Sequence, residues 1–228
     1  MVIAVLGSGD ATIITPETPL PAPIRLAGVH CKLLPVADAV FPATEQDRAI
    51  CERTYYLAGI AAAAQGTQGI YINTVGDYGL KRLQKAVDAP VVGAGSGAIK
   101  LALQDAESFS IVTVWPPAMR FIYEHMLSES GLTRYCNDIT HLSQDDIMAT
   151  ADGIPSAMAE VQACGMTTLN TVINAIDTLH SRFPGGAVML GCTCMYPMAP
   201  LLSARGVEVV EPMSAGYRHI VQSLRPQQ

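Results

Sequence analysis

Charge is scarce in this chain. Asp, Glu, Lys and Arg make up 15% of 228 residues, whereas half of the residues are apolar. A chain so apolar buries enough surface to fold, which excludes intrinsic disorder. Basic residues are scarcer still, 14 against 20 acidic ones for a net charge of −6. No Lys/Arg cluster offsets that balance locally, so a nucleic-acid partner is excluded. Long hydrophobic runs are missing too: none approaches the roughly 18–20 residues of a membrane span. The opening segment, MVIAVLGSGD, has no basic region ahead of its apolar run and reads as a buried strand rather than a signal peptide. Six cysteines are too few at this length for a disulfide framework. None belongs to a pair of Cys/His pairs at ligand spacing, so no metal is expected. These absences predict a reduced, soluble, cytoplasmic protein.

What is present is alternation. Short apolar runs at Val2–Leu6, 29–35, 69–73, 90–92, 109–114, Ala187–Leu190 and 207–210 predict strands. Helical patterns lie between them, over 46–65, 80–87, 98–104, 117–130, 154–182 and 215–224. Strand followed by helix, repeated, predicts βαβ units and parallel sheet in an α/β fold.

The chain also resembles itself. GIYINTVGDYGL (69–80) matches AVMLGCTCMYPM (187–198) when Tyr78 is laid on Tyr196, and the same offset of 118 puts Thr74 on Cys192. It carries Val92 onto Val210 and Ser96 onto Ser214. A duplication follows, with one half at 1–97 plus 208–228 and the other at 98–207. Two pseudo-symmetric three-layer halves of parallel sheet would offer their strand C-terminal ends to an interdomain active site, where ligands of open α/β sheets bind.

Cys192 is the sharpest chemical candidate. It follows Val-Met-Leu-Gly, where a strand gives way to a turn and unpaired backbone N–H groups favour thiolate over thiol. Cys194 shares the turn, but strand alternation would point it elsewhere. The other four cysteines fall within strand or helix patterns and read as core. The five histidines share no spacing and are assigned no role. Thr74 admits two readings: a strand-end residue capping the next helix, or a hydroxyl that donates to, or relays a proton for, a ligand. Asn73, beside it, could orient a substrate or make turn bonds. Gly93-Ala94-Gly95-Ser96-Gly97 lacks the spacing of a dinucleotide loop and predicts a tight turn with amides near an anion. Ser8, Gly9, Ser96 and Thr113 would complete a ring of small donors suited to a carboxylate or enolate.

Two segments carry a family resemblance. Leu190-Gly191-Cys192-Thr193-Cys194-Met195 resembles the second catalytic-cysteine motif of the aspartate/glutamate/hydantoin racemase superfamily. Ile72-Asn73-Thr74-Val75-Gly76-Asp77-Tyr78-Gly79-Leu80 resembles the first-cysteine motif of its hydantoin-racemase branch, with Thr74 at the cysteine position. A second register, on a Cys-Asn-Thr pattern, puts Ile72 there and makes Thr74 a binding residue. The resemblance implies a cofactor-independent enzyme in which two groups flank a substrate carbon, one removing a proton and the other delivering one. Carried over, Cys192 and Thr74 are the catalytic pair, and Val75, Thr193 and Tyr123 join Asn73 around a small carboxylate or hydantoin. It also implies a homo-oligomer. A lone thiol leaves open unequal racemisation, decarboxylation of a malonate-type substrate as in arylmalonate decarboxylase, and cysteine addition to a double bond as in maleate isomerase; metabolite binding without catalysis is the reading from another class.

Overall fold

Strands of only three to six residues build two separate parallel sheets. The computed structural model describes residues 1–7, 20–149 and 153–225; Ser8 and Gly9 lie outside the described residues. The chain divides into two compact units, Met1–Gly97 with Met213–Gln228, and Ala98–Pro212.

In the first unit, β1 (Val2–Leu6), β2 (His30–Leu34), β3 (Gly69–Ile72) and β4 (Val91–Gly93) run parallel in the order β2-β1-β3-β4. The inner strand β3 is buried along its whole length, as is β1 after Val2, because crossover helices cover both faces of a parallel sheet. Helix α1 (Glu45–Ala64) starts at a reciprocal cap: Thr44 Oγ1 accepts from Asp47 N at 3.2 Å, and Asp47 Oδ2 accepts from Thr44 N at 3.0 Å. Helix α2 (Leu80–Ala86) packs on β4, and α3 (Ala94–Asp105) leaves β4 directly.

In the second unit, β5 (Phe109–Thr113), β6 (Cys136–His141) and β7 (Ala187–Leu190) run parallel in the order β6-β5-β7. Helices α4 (Arg120–Ser130), α5 (Gly153–Ala163), α6 (Met166–Arg182) and α7 (Met198–Ser203) accompany them, and α8 (Pro212–Ser223) leads back to the first unit. No described helix is long and apolar enough to cross a membrane.

The 118-residue offset holds at the level of whole elements. Strand β3 maps onto β7, the start of α2 onto that of α7, and Ala94–Asp105 onto Pro212–Ser223. Even the pairing repeats: Tyr71↔Val92 in one sheet answers Met189↔Val210 in the other.

Four expectations change. The strand over 207–210 reduces to the single bridge at Val210, and this bridge to β7 keeps the segment in the second unit, so the return comes at Met213 rather than 208. The helix over 154–182 is two helices, broken where Cys164 takes a φ of 50° before Gly165. The turn at 93–97 is already the first turn of α3, which begins ahead of residue 98. Strand β6 was not anticipated, because Asn137, Asp138 and Thr140 hide the apolar signal of an edge strand.

The first turn of α3 touches α8 through backbone. A Cβ on Gly216 would lie 2.8 Å from Ala94 Cα and 3.0 Å from Gly93 O, and one on Gly97 would lie 2.6 Å from Gly216 Cα. Backbone cannot swing aside as a side chain can. Gly216→Ala is therefore expected to lose about 1–3 kcal/mol of stability, read from the denaturant midpoint; an unchanged midpoint would show the crossing to be loose.

Candidate active site

In the first unit the chain leaves β3 through Asn73, whose N–H still donates to Leu6 O at 2.9 Å. Asn73 is buried, with Oδ1 3.3 Å from the Tyr71 hydroxyl, which donates to Met213 O at 2.9 Å. Tyr71, through that hydroxyl, ties β3 to the base of α8. Thr74 follows, and its Oγ1 is buried with no hydrogen-bond partner. Val75 is buried with its carbonyl against Gly95. Asp77, at a φ of 49°, accepts from Gly95 N at 2.9 Å and Ser96 N at 2.7 Å. A Cβ on Gly93 would fall 2.0 Å from Asp77 Oδ1, and one on Gly95 would fall 2.2 Å from Val75 O. The small residues thus let the loop after β3 close on the start of α3. The expected anion near these amides is the chain's own Asp77 carboxylate, which takes up the Ser96 N–H.

In the second unit the corresponding loop leaves β7 through Gly191. Its N–H donates to Val112 O at 2.7 Å, and its carbonyl accepts from the Tyr123 hydroxyl at 2.8 Å. Tyr123 has one proton, so the contact at 2.5 Å with Thr113 Oγ1 is donated by Thr113, which in turn accepts from Trp115 N at 3.2 Å. Thr113 and Tyr123 are 0% and 1% exposed. Burial pushes the Tyr123 phenol well above its ordinary range. The sequence reading placed both hydroxyls around a substrate; the structure turns both inward, onto the Gly191 carbonyl.

Cys192 stands two residues beyond β7, half-buried and extended (φ −145°, ψ 140°), with Sγ accepting from Cys194 N at 3.1 Å. Thr193 opens the short 3-10 turn Thr193–Met195 and is half-buried. That turn overturns the expected direction of Cys194. Strand alternation ends at Leu190, the turn folds back, and Cys192 and Cys194 are joined by a disulfide with Cα atoms 5.1 Å apart. The expectation of a fully reduced chain is corrected at this pair. The other four cysteines are free, and burial raises each of their thiols above the ordinary value.

His141, at the end of β6, is a residue that sequence reasoning passed over. Its Nδ1 lies 2.9 Å from Trp115 O, which can only accept, so Nδ1 carries the proton and Nε2 is a bare acceptor. Burial, the largest influence, holds the imidazole below its ordinary value and neutral. Among the described residues, His141 Nε2 and Thr74 Oγ1 are the buried side-chain nitrogen or oxygen atoms without a partner. Each sits just past the C-terminal end of a parallel strand or at it, the edge where such sheets bind ligands. No sequence signal marked His141, because β6 itself was hidden. A separate groove of about 500 Å³ in the first unit, between Leu34, Pro35 and α1, contains none of these residues.

Known proteins share this frame. The family model described as Asp/Glu/Hydantoin racemase matches residues 34–220. A hydantoin racemase of Paenarthrobacter aurescens is 29% identical over 150 residues, 65% of this chain and 58% of that protein. The chain spans about three fifths of the length of the curated relatives it matches. An allantoin racemase from Klebsiella pneumoniae superposes with a TM-score of 0.71 at 23% identity, over 97% of this chain and 86% of that one. An arylmalonate decarboxylase has a TM-score of 0.62 at 12% identity, over 100% and 94%. At these identities the two structures establish a common fold.

Two outcomes follow from the site. Iodoacetamide should label Cys192 only after dithiothreitol treatment, whereas Cys194→Ser should label without it; peptide mass spectrometry reads both, and equal labelling before and after reduction would count against the disulfide. His141 is harder to protonate in the folded chain than in the unfolded one. Stability should therefore fall as pH drops through about 6.5, the unfolded value, and His141→Gln should lose less over that interval in parallel denaturant titrations.

Proposed function

Because the chain belongs to the Asp/Glu/Hydantoin racemase family, we propose that it is a cofactor-independent racemase or epimerase. It moves a proton at the carbon next to a carboxylate or carbonyl of an amino acid or hydantoin. The observation that carries this reading is the setting of Cys192. Its sulfur, disulfide-bonded to Cys194 here, stands 3.1 Å from the Cys194 N–H, a donor that would stabilise the thiolate freed by reduction, and its own N–H has no acceptor among the described residues. A thiolate there takes the proton as general base, and the resulting thiol returns one as general acid. Such positioned proton transfer contributes on the order of 10²–10⁴-fold in rate.

Thr74 holds the matching place in the first unit, two residues past β3 as Cys192 is two past β7. Ile72, the alternative in the second register, is inside the strand and 0% exposed. A hydroxyl cannot carry stable charge near neutral pH. Thr74 Oγ1 instead donates to the substrate or relays a proton, and exchange from its side is slower. The acting form is the reduced one, which fits a reducing cytoplasm. The relatives' names support a small carboxylate or hydantoin as substrate, and the family resemblance supports a homo-oligomer. Substrate contacts from the half-buried Ser96 and Thr193 side chains are part of this reading.

The single thiol at two matching positions favours one second reading, a decarboxylase that protonates one face of an enediolate. Proton NMR in D₂O separates the two. Separate L- and D-enantiomers of aspartate, glutamate and 5-substituted hydantoins should lose their α-proton signal with the reduced enzyme, faster for one enantiomer, and Cys192→Ala should abolish the loss. Carbon dioxide release from an arylmalonate without any α-proton exchange would overturn the racemase reading in favour of the decarboxylase.

A further inference from the structure

We propose that Tyr123 is the positioning residue of Cys192, acting through the peptide bond that joins Gly191 to it. The assignment rests on Cys192 being the acid–base thiol, as proposed above. Four groups form one directed chain: Trp115 N–H to Thr113 Oγ1, Thr113 O–H to the Tyr123 oxygen, and Tyr123 O–H to the Gly191 carbonyl. Every proton in it is assigned by the donor capacity of the next group. The last acceptor is the carbonyl of the peptide whose nitrogen belongs to Cys192.

Gly191 is held through both of its peptide groups. The Gly191 N–H is fixed on Val112 O at 2.7 Å and its carbonyl on Tyr123 at 2.8 Å. A side chain at 191 would prevent this, since a Cβ there would meet Thr113 Cβ at 2.6 Å. The clamp fixes where Cys192 begins, and hence where its sulfur meets the Cys194 N–H. It also acts electronically. A donor on a peptide carbonyl strengthens the N–H of the same peptide as a donor, by the polarisation that makes hydrogen-bonded chains cooperative. The Cys192 N–H has no acceptor among the described residues, so the strengthened donor is available to an oxyanion forming next to the thiol. A fully buried phenol also costs free energy unless its O–H is matched, and the match here is this one carbonyl. Phenylalanine would fill the same space without it.

The test uses the reduced full-length protein with Cys194→Ser, so that Cys192 cannot be reoxidised onto its neighbour. Tyr123→Phe is compared with Tyr123 in two measurements. The first is the rate of Cys192 alkylation by iodoacetamide at fixed pH, read by peptide mass spectrometry. It should fall roughly tenfold, the loss of about one hydrogen bond's worth of thiolate support. A side chain that merely holds the fold gives the opposite sign, because a loosened loop exposes the thiol and speeds alkylation. The second is α-proton exchange on whichever substrate the wild type turns over, where kcat should fall roughly tenfold with KM within about twofold. Faster or unchanged alkylation overturns the assignment. Should Tyr123→Phe fail to fold, Thr113→Val withdraws the hydroxyl that polarises Tyr123 and leaves the phenol; slower alkylation supports the assignment and an unchanged rate overturns it. Alkylation needs no turnover. Slower alkylation in a protein that exchanges no α-proton would keep Tyr123 in its role while removing the racemase reading.

Discussion

Parallel pairing is the constraint on which the rest depends. A parallel strand cannot turn back into its neighbour, so every connection must cross over a face of the sheet and start from the same edge. In each unit that edge collects the loops leaving the strand C-termini. Thr74 and Asp77 lie on one such edge, and Thr113, His141 and Cys192 on the other. The chemistry is therefore a property of where strands stop. A one-residue change in the length of β7 would move Cys192 off the Gly191 clamp, whatever else was preserved.

The two matching loops solve one problem with different materials. After β3, a carboxylate folds inward and occupies the amides at the start of the next helix. After β7, a phenol from α4 holds the carbonyl, while the amide beyond it has no acceptor among the described residues. In one loop the Asp77 carboxylate takes up the Gly95 and Ser96 amides, and the buried Thr74 hydroxyl has no partner. The other carries the Cys192–Cys194 disulfide and a Cys192 amide without an acceptor among the described residues. The backbone path repeats at the 118-residue offset, and the polar chemistry placed on it does not.

Much of this was legible because apolar periodicity and the 118-residue offset report directly on backbone. β1, β7, α1 and α2 fall where the alternation of apolar runs and helical patterns puts them, to within a residue at each end. The same offset pairs Cys192 with Thr74 as candidates, and both stand two residues past matching strands. What stayed hidden was set by tertiary partners. β6 is an edge strand written in polar residues, so neither its existence nor His141 shows in a hydropathy pattern. Cys194 was misjudged because strand alternation was extended past Leu190 into a turn. Tyr123, expected around a substrate, instead meets the Gly191 carbonyl, a contact 68 residues away in sequence that only the sheet brings within reach.

Helix α3 and helix α8 hold matching places at the 118-residue offset, yet neither lies wholly with the sheet that precedes it. Only the first turn of α3 belongs to the first unit, its remainder being part of the second, and α8 is spent on the first. The duplicated segments have thus traded their closing helices. A cut at the repeat boundary would leave each fragment lacking a helix that only the other fragment encodes.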